Sequence, residues 1–548
     1  MKMDIIKKAI ISIGTVLIGI ILGYLLLALV YCIDIPEERF EKTMQILSEE
    51  GYHPRELLRT GKSDYYAENY PDILDIGTDE FIYKFSLRNT EESCFSRALV
   101  NDYGRYWHGY VVFLRPLFRI FDLDEVRYIN LGIQLLLFCV LALTTYAVSR
   151  RTIYVWAELA VYLIMGPNSM ACNMQYSSIY YVAVIFAIIA MRFWKVIDKD
   201  GRYIYLFLIS GMATSFMDFL TYPLLSWCFP ATFVIMLYSS KNIFKHNIWL
   251  NKIIQLAISA IMWIIGYITM WAGKWTIGIA LSDIDVWDYA TSEVGFIIGS
   301  NEKNLFIRLQ SFFKNWNHLT YKPFVLVFLI AFIIWVIAMV RKGIVKDYRI
   351  PAFTVILFAA PVWYIVGYSH TWGHHIFTWR IALTTVIAAV MIACLSTDHS
   401  EGKEVILIKC EILRALACIT CVALGVATYW IIPAEKQNCW NYNLTHDEYI
   451  IPQGQDNGYV MDFIPMYSHV CSVDPIITSQ DYAGYIELVL LDGDRVIDIQ
   501  KITFDGSEDS NVKVLPVDWH LKRGKRYQIA ISTKNSKESA KIWITDDT

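Results

Sequence analysis

The sequence predicts an α-helical polytopic membrane protein of about eleven transmembrane helices, each near the ~20 apolar residues a bilayer core requires, followed by a C-terminal extracytoplasmic β-sandwich. Three observations predict it. Of 548 residues, 55% are hydrophobic and 15% aromatic, and only 18% are charged, against about 25% charged in a soluble globular chain. Mean hydropathy is +0.39. Apolar runs recur through residues 1–432, and short alternating strands replace them over 433–548.

The same arithmetic excludes other classes. Lys+Arg 48 against Asp+Glu 52 gives a net charge of −4, with none of the basic excess that nucleic-acid binding requires. Eleven cysteines spread over the chain do not make a disulfide scaffold.

The first run, 9–31, is too long and leucine-rich for a signal-peptide core, and no small-residue cleavage site follows it. It reads as an uncleaved anchor. Further runs lie near 128–148, 152–166, 176–193, 203–220, 222–239, 253–273, 323–340, 351–368, 378–396 and 415–432. Cytoplasmic loops hold Lys and Arg. With the N-terminus cytoplasmic, the inside segments carry Lys2, Lys7 and Lys8; Arg150 and Arg151; Arg192 to Arg202; Lys241 to Lys252; Arg341 to Arg349; and Lys403 to Arg414. The short outside loops near 167–175, 219–222 and 369–377 have neither residue. The expected location is the plasma (cytoplasmic) membrane. An outer loop over 33–127 belongs to the membrane domain 1–432, and the domain 433–548 lies outside. In that domain Gly484 to Leu491 alternates, Asp492-Gly493 is a hairpin signal, and 526–532 and 540–545 alternate likewise. It reads as a structural cap or a glycan-binding module.

Polar groups at the outer membrane face are the informative ones, because charge there is costly. The densest cluster runs from Asn101 to Tyr110, followed by Arg115-Pro116-Leu117. On a helix Asp102, Arg105, Tyr106 and Gly109 share one face, and His108 lies beside them. One reading is an Asp102–Arg105 ion pair on an interfacial helix; the other makes Asp102 a catalytic base or cation ligand. Asp218, in an apolar hairpin, is a second acid or a helix-end salt bridge. The stretch 370–380 joins two spans with His370, His374, His375 and Arg380, a pocket for an anionic headgroup or an interfacial belt. No recognised metal-ligand spacing appears there, and no metal site is assigned. Asp122-Leu123-Asp124 either binds a divalent cation, the one candidate cofactor, or caps the next helix. Glu158 lies mid-span, and an intramembrane carboxyl is a functional candidate by default.

The layout resembles the GT-C superfamily of membrane glycosyltransferases, which use polyprenyl-phosphate sugars. Asp102-x-x-Arg105-Tyr106, with Arg115-Pro116-Leu117 downstream, is similar in order to a run in the aminoarabinose transferase and protein mannosyltransferase branch. In that branch the acid follows soon after the first span. Here a long stretch intervenes, and Tyr70-Pro71-Asp72 and Asp79-Glu80 are alternative acids. The resemblance implies an inverting transferase with Asp102 as base. Arg380 with His374 or His375 would lie near the donor phosphate, and a glycan, lipid or envelope polymer would be the acceptor. It assigns Asp218 no role; that residue stays a catalytic candidate, and Arg105, His108 and Arg115 stay substrate-binding candidates. The competing expectations are a flippase or transporter for lipid-linked glycan, or an envelope polysaccharide polymerase.

Overall fold

The computed structural model describes residues 2–50, 76–89, 93–98, 106–218, 220–239, 247–281, 304–317, 332, 335–398, 405–406, 446–451, 459–463, 469–473, 476–478, 483–493, 495–505, 511–512, 515–522, 525–532 and 540–545. These fall into two compact units, one helical and one of strands.

Five helices of the first unit are long and apolar enough to cross a membrane: Ile6–Tyr31, Leu123–Ser149, Met174–Arg192, Ile248–Ala280 and Trp379–Ser396. Shorter apolar helices are Thr152–Ile164, Tyr203–Met217, Leu225–Leu237 and Ile350–Val366. Nine of the expected runs therefore fall on described helices. The run 323–340 lies largely, and 415–432 wholly, outside the described residues. Among the described residues five of these helices suffice by length to span a bilayer, and the others are shorter. The shortness has a local cause. Thr152–Ile164 has 13 residues, roughly 20 Å at 1.5 Å per residue, against a core of ~30 Å. It stops at Gly166, whose φ of 74° only glycine adopts freely. The 351–368 run divides at Phe358 into Ile350–Leu357 and Ala359–Val366. Non-helical backbone at membrane depth is tolerated only where protein covers it, and the chain from Met170 to Tyr180 is buried throughout.

Large apolar side chains line the outward faces: Ile18 is 67% exposed, Leu29 66%, Leu143 70% and Trp156 65%. In water such faces would be aggregation surfaces; against lipid tails they are satisfied. Inside, small residues let backbones touch. A Cβ on Gly211 would lie 2.0 Å from the Trp263 carbonyl oxygen, and one on Gly266 would lie 2.0 Å from that of Leu208. Thus Tyr203–Met217 and Ile248–Leu281 cross in direct backbone contact. The first helix docks similarly: Gly19 receives Met212, and Gly273 of the long helix receives Ile20.

Contacts sort the loops into two ends. At one, Lys8 Nζ donates to Asp200 O (2.6 Å), Arg151 pairs with Asp398 (2.9 Å), and Ser239 N donates to Asp198 Oδ2 (3.0 Å). At the other, Gly109 N donates to Phe216 O (2.8 Å), and residues 165–169, 220 and 370–380 meet. These are the two groups that the charge pattern separates.

The strand unit holds two four-stranded antiparallel sheets. One runs Tyr459–Phe463, Tyr527–Ser532, Ala483–Asp492, Arg495–Asp505; the other His446–Ile451, Ala540–Thr545, Ile476–Thr478, Asn511–Val512. His469–Val473 pairs separately with Leu515–His520. The expected hairpin is present: Asp492 pairs with Arg495, and Gly493 has φ +60°, the sign a two-residue hairpin loop demands. Trp519 Nε1 donates to Asp498 Oδ2 at 2.6 Å, tying the separate pair to the first sheet.

Two predictions follow from this packing. Gly211→Val should lower stability by roughly 1–3 kcal/mol or more, the usual range for overpacking, because backbone cannot yield as a side chain can; thermal unfolding in detergent measures it, and an unchanged midpoint would refute the contact. Hydrogen bonds from Gln500 and Trp519 hold the Asp498 carboxyl below the usual carboxylate range. A depressed folded pKa contributes stability above the unfolded value of about 3.9, which is lost as pH falls through the folded value. Acidification from pH 5 to about 3 should therefore destabilise wild type more than Asp498→Asn; parallel melting curves would contradict it.

Candidate functional site

The helix Lys2–Tyr31 leaves its last carbonyls without intrahelical donors, as does Ile76–Leu87. Arg115 serves both. Its Nε donates to Val30 O and Ile33 O (3.2 Å each), Nη1 to Ser86 O (2.9 Å) and Arg88 O (3.3 Å), and Nη2 to Ile33 O and to Asn89 Oδ1 (3.1 Å). Asn89 in turn accepts from Ile35 N and donates to Ile35 O. Burial, with Arg97 next, pushes the guanidinium down to about 10, so it stays charged at neutral pH. The side chain is fully buried, and its donors are taken up by the chain itself. This is the role of a helix cap.

His108 is also enclosed. It sits at φ 55°, bonds Tyr110 Oη through Nδ1 (2.6 Å), and stacks on Phe85 at 5.5 Å. Asp102 and Arg105 lie outside the described residues. The chain that follows them docks close to Asp218: Gly109 bonds to Phe216, and Tyr106 stacks on Trp271 at 6.0 Å. Asp122 initiates Leu123–Ser149 in a capping box with Glu125 and pairs with Lys42 at 2.5 Å. That pairing holds the Asp122 carboxyl below its usual range. The D-x-D triplet thus does the work of a helix start. Among the described residues no three His, Cys, Asp or Glu side chains gather as a metal site.

Three loops at one end of the helical unit converge on one place. Asp218 ends Tyr203–Met217, and its Oδ1 accepts from Thr221 N (3.0 Å) and Thr221 Oγ1 (2.5 Å). The turn passes through Leu220 at φ 67°. Leu220 O, an acceptor only, receives the proton of His370 Nε2 at 3.0 Å. His370 lies 4.9 Å from His374 ring to ring, and Phe377 stacks on His374. Tyr222 donates to Tyr176 O and lies within electrostatic reach of both Arg380 and Asp218. Arg380 is fully buried. Its Nε donates to Met165 O (3.4 Å) and Nη2 to Ser169 Oγ (3.3 Å), and the guanidinium sits 3.8 Å over the Tyr176 ring. Nη1 has no hydrogen-bond partner among the described residues. His375 is buried in the same segment.

Asp218, His374, His375 and Arg380 are therefore brought together, whereas His108 and Arg115 belong to the neighbouring cluster around the first helix. Sequence reasoning missed Ser169, Tyr176 and Tyr222. The signal was present in 167–178, where Asn, Ser and Gln interrupt an apolar run too often for a lipid-facing helix. Comparison with family models, curated proteins and solved structures gives no match to this chain.

Arg115→Met should leave Ile33 O and Ser86 O without donors, since Val30 O keeps Ile33 N and Arg88 O keeps the Arg97 guanidinium. The expected loss is roughly 2 kcal/mol or more, at about 1–3 kcal/mol for each unmet group. Lys at 115 should rescue little, because a point charge cannot span both helix ends. Detergent melting of both variants checks this, and a wild-type midpoint for Arg115→Met would remove the clamp.

Proposed function

We propose that this chain is a membrane glycosyltransferase that moves a sugar from a polyprenyl-phosphate donor to an extracytoplasmic glycan, lipid or polymer. The observation that carries the reading is that Asp218 and Arg380 both lie within electrostatic reach of Tyr222, at an end of the helical unit whose short loops near 167–175, 219–222 and 369–377 lack Lys and Arg. Arg380, buried with an unmatched Nη1, suits an anionic oxygen. Asp218, oriented by Thr221, suits a hydroxyl. In this mechanism the carboxylate takes the acceptor's proton as its oxygen attacks the anomeric carbon. The bond from that carbon to the phosphate oxygen breaks, and the lipid phosphate leaves with the electron pair beside Arg380. Single displacement inverts the centre. Asp102 is the alternative base. The two sheets of the strand unit make an extracytoplasmic sandwich, and the N-terminus is cytoplasmic in the plasma membrane.

A flippase is the second reading. It is favoured by buried Arg127, Asn130, Gln134 and Thr145 along one helix, since such polar rows mark intramembrane paths. Sugar release from labelled polyprenyl-phosphate sugars in proteoliposomes decides between them. Asp218→Asn and Arg380→Lys, each folded, should lower transfer about a hundredfold or more, the scale of a lost base or electrostatic stabiliser. Intact donors with glycan moved between leaflets would sink the transferase and leave the flippase.

A further inference from the structure

The opposite end of the helical unit holds a different chemistry. Helices Leu123–Ser149, Thr152–Ile164, Met174–Arg192, Leu225–Leu237 and Leu383–Ser396 enclose a cavity of about 70 Å³. One water needs ~10–15 Å³ on this measure, so the space exceeds that of a single structural water. Its walls are apolar, with Val161, Met191, Phe229 and Met391 prominent. Into this lining the sequence places one carboxyl. Glu158 is 8% exposed. Its Oε1 accepts from Thr145 Oγ1 at 2.6 Å, and its buried Oε2 has no hydrogen-bond partner among the described residues. No Lys, Arg or His forms an ion pair with it there.

We propose that this cavity binds a neutral lipid through a hydroxyl headgroup. The apolar wall takes the start of a hydrocarbon chain, which leaves over the half-buried rim at Ala157. A turn of the carboxyl that brings Oε2 to the lumen completes its hydrogen bonding with the hydroxyl in either protonation state. A carboxylate accepts the O–H, and a carboxylic acid donates to the oxygen. A phosphorylated lipid is disfavoured, because its charge would meet the carboxyl across an apolar lining, and the nearest guanidiniums, Arg349 beside Met236 and Arg151, are held by Asp347 and Asp398. The site thus discriminates against the class of lipid that the transferase reading places at Arg380, and its test does not depend on that reading.

The test uses the full chain in nanodiscs with three photoreactive probes sharing one chain length: octadecanol, a monoacylglycerol and octadecyl phosphate. A hydroxyl probe should crosslink to peptides from 152–164, 225–237 and 383–396, and the phosphate about tenfold less; the stronger of the two hydroxyl probes names the source. Glu158→Leu should reduce hydroxyl labelling about tenfold, the worth of one hydrogen bond to a carboxyl. Glu158→Gln, which keeps a donor and an acceptor, should stay within about threefold. Ala157→Phe blocks the rim without touching the carboxyl, and it decides the matter if Glu158→Leu does not fold. Equal labelling by the phosphate, or hydroxyl labelling indifferent to both Glu158→Leu and Ala157→Phe, would overturn the proposal.

Discussion

The helical unit depends on cations that close the carbonyl ends of helices. An α-helix leaves its last carbonyls without partners, and neither lipid nor a packed interior supplies donors. Here side chains reach across from elsewhere. Arg115 serves Val30, Ile33, Ser86 and Arg88; Lys274 serves Ala98 at 2.5 Å; Lys252 serves Tyr238; Arg308 serves Ile365 at 3.1 Å; Arg380 serves Met165. Each charge also meets the negative end of a helix dipole. Two costs, a buried cation and an unmet carbonyl, cancel one another. Broken helices such as Thr152–Ile164 become tolerable at membrane depth through the same device.

This economy sets the background for any chemistry. A buried arginine is here most often a cap, and Arg115 is the clear case. Arg380 differs by degree: it holds Met165 and Ser169 and still keeps Nη1 unmatched. The site at this end of the helical unit is thus built from structural parts that retain some capacity. Glu158 stands in the same relation to Thr145 at the other end.

The sequence made the apolar runs, the sorting of the loops into two ends and the Asp492-Gly493 hairpin legible, because each follows from a local signal: hydropathy, charge or turn chemistry. It did not reveal that the run over 351–368 breaks. Phe358 interrupts a run whose hydropathy is unbroken. Asp218 and Arg380 were legible as charges in apolar surroundings. Their convergence through Tyr222 was not, since it joins residues far apart in the chain. The cap role of Arg115 was likewise invisible, because its partners are carbonyls, which every residue has.

The glycine contacts of the first helix bear on how the protein is made. Gly19 receives Met212, and Ile20 is received by Gly273. The first helix therefore has to await partners roughly 190 to 250 residues downstream. At ~5–20 residues per second, that interval is on the order of tens of seconds. During it the small-residue face of the first helix stays open to any other transmembrane segment nearby. Biogenesis of this protein thus has a window of vulnerability that its finished packing conceals. Factors that shield lone helices in the bilayer should matter more to its yield than factors that act on its soluble strands.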